Sequence, residues 1–322
     1  MDIFLPARIL ADWLTLQVFH IPRGTLAAEA INFFIFDTIK IFILLLTIIF
    51  AVSIIRSFLP PERVRAILLR KNKYAGNILA ALLGIITPFC TCSAIPLFLG
   101  FVEAGVPLGV TFSFLVASPM INEVALIMLV GMFGWKIALV YIVSGLIIAI
   151  ISGIIIGYLK VENLLEKFVL QNRIDASYVD TKLLWSERIA YAKSYTGDIL
   201  KKVWPYVLGG IGIGAWIHGY VPADFLAKYA GAGKWYAVPL ATLIGIPLYS
   251  NAAGVIPLVS ALTEKGVSMG TVLAFMMAVT GLSLPEFMIL RRVMKTKLIF
   301  IFAGIVGVGI IFTGYFFNLI LQ

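Results

Sequence analysis

Two cysteines stand two residues apart, and they are the only thiols in the chain: Thr87-Pro88-Phe89-Cys90-Thr91-Cys92-Ser93-Ala94-Ile95-Pro96. Two thiols suit a soft, thiophilic centre and not Mg²⁺, Ca²⁺ or a sugar. They fall short of a structural zinc site, which takes four ligands, and no histidine lies near them in sequence. On a regular helix, residues i and i+2 point about 200° apart, so both could not hold one ligand. An unwound segment could turn both inward. Pro88 and Pro96 favour one, because each removes a backbone donor and disfavours helix just before it. The hydroxyls of Thr87 and Ser93 lie within the same segment. The competing reading makes each cysteine a small buried hydrophobe.

Two carboxylates come next. Glu123 ends Ser118-Pro119-Met120-Ile121-Asn122-Glu123, and Glu286 ends Ser283-Leu284-Pro285-Glu286. A charged carboxylate inside a bilayer is costly, so such residues face cavities and mark ion or proton paths. For Glu286, five residues before Arg291, the alternative is a solvated charge at a helix end. Asp37 and Lys40 stand one turn apart and could neutralise each other, a structural pair.

The elements that must position these groups follow from composition. Apolar residues make up 61% of the 322 residues, charged residues 13%, and mean hydropathy is +1.04. Soluble domains carry about 25% charged residues, so this chain has too little polar surface to cover itself in water. Apolar runs of membrane-spanning length lie near 31–55, 76–102, 107–130, 136–158, 199–218, 236–262, 267–289 and 298–320. The expected fold is therefore an all-α integral membrane protein of about eight spans. The second and sixth are interrupted by Pro and Gly and read as broken or re-entrant. Residues 1–30 form an interfacial N-terminal segment without the basic region of a secretory signal, and 159–198 form a polar connection. The net charge of +9 reflects loops on the cytoplasmic face and not nucleic-acid binding.

Charge also orients the chain. Residues 56–73 and 291–297 are strongly basic, and with eight simple spans they share one face with Lys136. Both termini, the turn after Glu103 and the 159–202 connection then fall on the outer face.

A shift of 161 residues aligns Lys73–Val110 with Lys234–Thr271 without a gap, and 13 of those 38 pairs are identical. They include Gly84/Gly245, Pro96/Pro257, Glu103/Glu264 and Gly105/Gly266. Shared hydrophobicity would match Leu with Leu, but it would not align Pro, Gly and Glu in register. Residues 31–158 and 199–322 are thus two copies of one unit, and four spans per copy predicts parallel halves. Opposite Cys90 and Cys92 the second copy places Asn251 and Ala253, preceded by Tyr249 and Ser250, with Pro257 matching Pro96. Pro119 and Pro285 mark further breaks before Glu123 and Glu286. Discontinuous helices in matching positions of two repeats point to a transporter's binding site. Cys90, Cys92, Thr87, Ser93, Asn122, Tyr249, Ser250 and Asn251 are the expected solute contacts, and Glu123 and Glu286 the expected proton-coupling groups.

No G-x-x-x-x-G-K-[ST] loop, Ser-His-Asp set or H-E-x-x-H motif occurs, which argues against an enzyme, and no cofactor or metal is expected. Residues 87–126, TPFCTCSAIPLFLGFVEAGVPLGVTFSFLVASPMINEVAL, closely resemble the signature of a group of predicted bacterial and archaeal permeases that includes efflux permeases for trivalent organoarsenicals. The resemblance covers nearly the whole chain. It implies a secondary permease of the cell membrane, with Cys90 and Cys92 as soft-ligand contacts and Glu123 in the matching S-P-M-x-N-E segment. A monoalkyl arsenic(III) centre has two exchangeable positions, which two thiols could fill. Two rivals stay open: a membrane-embedded thiol redox or sulfur-handling protein, and a channel-like subunit of a two-component complex. The expected partners are a small solute, the bilayer, and either further copies or a small accessory subunit.

Overall fold

In the computed structural model, residues 4–58, 74–86, 91–121, 123–166, 169, 185–220, 234–248, 259, 262–263 and 266–320 are described. They form helices. In chain order these are α1 (Leu5–Trp13, continued as a π-turn over Leu14–Val18), α2 (Leu26–Phe58), α3 (Ala75–Ile86), α4 (Thr91–Glu103), α5 (Leu108–Met120) and α6 (Glu123–Phe133). Then follow α7 (Trp135–Leu159), α8 (Trp185–Tyr220), α9 (Ala237–Gly245), α10 (Met269–Gly281), α11 (Leu284–Leu290) and α12 (Thr296–Ile320). Helix α8 begins inside the stretch read from sequence as connection, because its first half is amphipathic and not apolar.

Among the described residues, four segments are long and apolar enough to cross a membrane: Leu26–Ala51, Trp135–Leu159, Met269–Leu290 and Thr296–Ile320. The surface of α7 shows the membrane pattern. On α7 the buried side is built from small residues, among them Ala138, Gly145, Ala149, Ser152 and Gly153. The opposite stripe of Leu139, Val143, Ile147, Ile151 and Ile155 is exposed. Lipid tails solvate such a stripe as well as a core would, and small residues inside let backbones approach closely.

Contacts recur across the 161-residue shift. A Cβ on Gly84 would meet Ala117 Cβ at 3.0 Å, Phe114 O at 3.0 Å and Ser118 N at 3.1 Å. On Gly245 it would meet Ala278 Cβ at 2.8 Å, Phe275 O at 3.1 Å and Val279 N at 3.3 Å, the same three atoms 161 positions on. Gly109 lies against Gly153 and Gly157, and Gly270 against Gly314 and Asn318. Helices α5 and α10, and likewise α7 and α12, share their limits under the shift. Both copies turn in the same way after the Glu103 and Glu264 positions. Gly105 and Gly266 take φ of 78° and 80°, and Val106 N–H donates to Phe101 O as Val267 N–H donates to Leu262 O. This is the Schellman closure, which needs a left-handed residue and therefore selects glycine.

Helix directions can be read from these contacts. Asn77 reaches Gly109 O and Ser113 Oγ, while Gly84 sits by 114–118, so α3 and α5 run the same way. Helix α7 runs against both: Gly109 meets Gly157, Ile121 meets Gly145, and Tyr141 reaches Met120. Tyr74 and Tyr158 bond through their hydroxyls at 2.7 Å, so α3 starts where α7 ends. Since α3 and α5 start on one face, the chain through α3 and α4 returns to the face it left.

The halves themselves are inverted. Ile148 packs on Gly309, its own equivalent, near the midpoints of α7 and α12. Just past α7, Glu166 N–H donates to Val293 O at 3.0 Å, Lys295 N–H to Leu164 O at 2.8 Å, and Leu165 bridges Met294. The end of α7 therefore meets the start of α12, and the two helices run antiparallel. The expectation of parallel halves fails because it counted the second and sixth spans as crossings. The assignment of the 159–202 connection to the face opposite 291–297 fails with it. Residues 162–166 sit against 291–295, and the turn after Glu103 shares their face.

Candidate functional site

The helix breaks of the two halves meet near the axis that relates them. Helix α5 ends at Met120 with Pro119 inside it, and its counterpart α10 ends at Gly281. Met120 Cγ lies 2.7 Å from where a Gly281 Cβ would be, again two equivalent residues touching. A helix end leaves carbonyls without intrahelical donors, and the fully buried Tyr141 O–H donates to Met120 O at 2.8 Å. The Tyr141 hydroxyl also lies beside that of Thr280, one residue before the other break. Sequence reasoning missed Tyr141. Its equivalent is Phe302, packed on Phe112 and Phe287, so the ring is a core position in both halves and only one carries the hydroxyl.

In the second half the break gathers the end of α9 as well. Leu284 N–H, the first of α11, donates to Ile246 O at 2.7 Å. The segment leading to Tyr249, Ser250 and Asn251 thus leaves α9 at the level of Glu286. Glu286 is 2% exposed, and neither carboxylate oxygen has a hydrogen-bond partner among the described residues. Ser283 caps α11 with Glu286 three positions on, the spacing of a capping box. The carboxylate is turned toward Ser283 N–H without closing a hydrogen bond. A buried carboxyl with two unused oxygens is expensive unless it binds something or is protonated. Helix α11 rests on α8, where Met288 Cε fills the space beside Gly209, and on α4. The helix carrying Glu286 thereby touches the helix carrying Cys92.

The other expected residues divide as follows. Cys92 and Ser93 lie in the first turn of α4 and Glu123 opens α6; their side chains lie outside the described residues, as do Thr87, Pro88, Cys90, Asn122, Tyr249, Ser250, Asn251 and Pro257. Pro96 does not break its helix but sits inside α4, so it cannot supply the donor that the Cys92 carbonyl would use. Pro285 occupies the first turn of α11, where a missing N–H costs nothing. No group of three metal-ligating side chains occurs among the described residues. Lys40 lies over the rings of Phe4 and Phe36.

A family model described as a predicted permease, ArsP_1, matches residues 26–319, which include both breaks and both halves. The chain belongs to this family. Among its relatives, the UPF0718 protein MJ0584 of Methanocaldococcus jannaschii is 23% identical over 306 residues, covering 78% of this chain and 84% of its own. A putative two-component membrane permease complex subunit of Streptococcus mutans is 28% identical over 289 residues, covering 88% and 93%. The UPF0718 protein YraQ of Escherichia coli is 22% identical over 259 residues, covering 76% and 68%. No solved structure matches the chain. Permease membership and long apolar helices make this a multi-pass membrane protein concerned with transport.

Proposed function

We propose that this ArsP_1 permease is a secondary transporter of the cell membrane that moves a small thiophilic solute, of the trivalent organoarsenical kind, through the junction of the two helix breaks. Glu286 carries the reading: it is a buried carboxyl with both oxygens unused, at a break that the end of α9 also reaches. In this reading the chain is two homologous copies whose second and sixth spans are hairpins entering from opposite faces. Inverted repeats with discontinuous helices at mid-membrane are the architecture of alternating access. Cys90 and Cys92 contact the soft centre, aided by the hydroxyls of Thr87 and Ser93. Asn122, Tyr249, Ser250 and Asn251 supply polar contacts, and Glu123 and Glu286 exchange protons. The carbonyl of Cys92, deprived of its helical donor by Pro96, adds an acceptor beside the thiols.

The test is uptake of a trivalent methylarsenical into everted membrane vesicles, wild type beside Cys90→Ser/Cys92→Ser. Loss of uptake at normal expression is the expected result. Uptake unchanged by removing both thiols overturns their role, and no uptake by wild type overturns the arsenical assignment. A second reading, a channel-like subunit of a two-component complex, draws on the name of the Streptococcus mutans relative. It predicts flux without saturation or proton coupling.

A further inference from the structure

Helices α2 and α8 pack along each other and are equivalent under the 161-residue shift. Each carries an Asp-x-x-Lys pair at matched positions, Asp37/Lys40 and Asp198/Lys201. On α2 this face has a cover. Asn32 Nδ2 donates to Asp12 at 2.7 Å, and the Arg8 guanidinium lies 5.4 Å from the Phe36 ring centre. The Lys40 ammonium lies 5.8 Å from Phe4 and 5.5 Å from Phe36. Helix α1 therefore runs back along positions 32, 36 and 40, one turn apart.

Shifted by 161, those positions are Lys193, Gly197 and Lys201. Nothing covers them among the described residues. Both lysines and Asp198 are exposed, no atom lies within 4 Å of where a Gly197 Cβ would be, and Trp204 continues the same open face at 48% exposure. The chemistry of the covered face transfers position by position. A carboxylate sits over position 32, where the second half has a lysine that would bind it more strongly. An aromatic ring sits over Lys40, and Lys201 repeats that lysine. A phenylalanine at 36 becomes glycine, which leaves room for a larger side chain from the covering helix.

We propose that this face of α8 docks an amphipathic helix of a separate, acidic partner protein, laid as α1 lies on α2. That helix presents an aromatic ring over Lys201, a bulky side chain over Gly197, and a carboxylate over Lys193 eight residues after the ring. The charge excludes a second copy as the natural occupant: two such faces would set lysines against lysines, with Asp198 the sole exposed acid between them on each. The inference rests on the α1–α2 packing and the repeat, and stands whatever solute is carried.

The test uses the full chain in nanodiscs and, as probe, a fluorescent synthetic peptide of residues 1–22 with Arg8→Leu, which carries the ring-to-carboxylate spacing of eight. Saturable binding is expected. Lys193→Glu/Lys201→Glu should weaken it by about tenfold or more, the scale of a lost charge-assisted contact. Changing Asp12 of the probe to Lys should restore binding to the Lys193→Glu protein. Gly197→Trp, whose Cβ would meet no described neighbour within 4 Å, should abolish binding while the protein stays monodisperse. Absence of binding to wild type, or equal binding to every variant, overturns the proposal. So does disulfide linkage between copies through Gly197→Cys in a Cys90→Ser/Cys92→Ser background, since that puts a second copy on the face.

Discussion

Alanine at Gly153 and at Gly314 should destabilise the protein, and alanine at Gly304 should not. All three glycines lie inside 25-residue helices, so the helix-propensity gain on replacing glycine, about 0.5–1 kcal/mol, is common to them and cancels. What differs is the space. A Gly304 Cβ meets nothing within 4 Å, whereas a Gly314 Cβ comes 2.8 Å from Ala274 Cβ and 3.2 Å from Gly270 O. An ordinary carbon contact is about 3.5 Å, so α12 must move off α10 by about 0.7 Å, enough to forfeit a quarter to a half of each dispersion contact along the seam. Overpacking of this kind costs about 1–3 kcal/mol. At Gly153 the new methyl lands on Ser113 Oγ and the Gly109 carbonyl and 2.8 Å from Asn77 Nδ2. It therefore also breaks the buried Asn77–Ser113 bond of 2.9 Å, worth a further ~0.5–1.5 kcal/mol. The expected order of stability, by reversible denaturant titration in mixed micelles, is Gly304→Ala at or above wild type, then Gly314→Ala, then Gly153→Ala. Equal midpoints for the three variants would refute the close-packing account. Sensitivity at Gly153 with tolerance at Gly314 would refute the claim that both halves use one contact.

Other outcomes follow from single groups. Glu286→Gln should abolish the pH dependence of solute uptake in vesicles while leaving expression and melting temperature near wild type, because the amide fills the same buried volume; unaltered pH dependence sinks the coupling role. Tyr141→Phe removes the donor to the Met120 carbonyl and should cost ~1–3 kcal/mol of stability, the cost of one buried unsatisfied group, with faster backbone hydrogen exchange near residue 120. Arg291→Ala breaks the 3.3 Å pair with Glu166, whose side chains are 49% and 33% exposed, so the loss should stay within ~1 kcal/mol and shrink further in high salt.

The recurrence of contacts at a 161-residue shift was legible in the sequence because the residues that reveal it answer to backbone demands. Gly105 and Gly266 close a turn that needs positive φ, and Gly84 and Gly245 admit a neighbouring backbone. Such positions keep their residue type while Leu, Ile and Val drift around them. The relative direction of the halves was not legible, since an apolar run of 27 residues at 76–102 reads as one crossing until its ends are seen on one face. Helices α3 and α4, of 12 and 13 residues, rise about 18 and 20 Å, each short of the ~30 Å core. Two half-depth helices are a hairpin, but composition cannot tell them from one interrupted span. Tyr141 was invisible for a related reason: the carbonyl it satisfies exists only once the break is placed.

The two halves duplicate their close approaches and not their polar groups. Asn77 and Ser113 tie α3 to α5 in the first half. At the equivalent places the second half has Val238 and Ala274, and its tie comes instead from Asn318, reaching Gly270 N and Thr271 Oγ1 from α12. Tyr141 faces Phe302 across the same relation, and the cysteines face Asn251 and Ala253. Backbone approach constrains both copies equally, so it persists. A buried polar group needs only one partner in one copy, so these groups are free to differ. Under the proposed function, that freedom would give the two entrances of an inverted pair different chemistry, sulfur in one copy and an amide and hydroxyls in the other. A soft solute entering from the cysteine side would meet its strongest ligands first, and entering from the other side would meet them last. Moving the thiols to positions 251 and 253 in a Cys90→Ser/Cys92→Ser protein would therefore change which face saturates at the lower solute concentration, if the thiols set affinity. If Glu286 couples transport to protons as proposed, net direction would still follow the proton gradient.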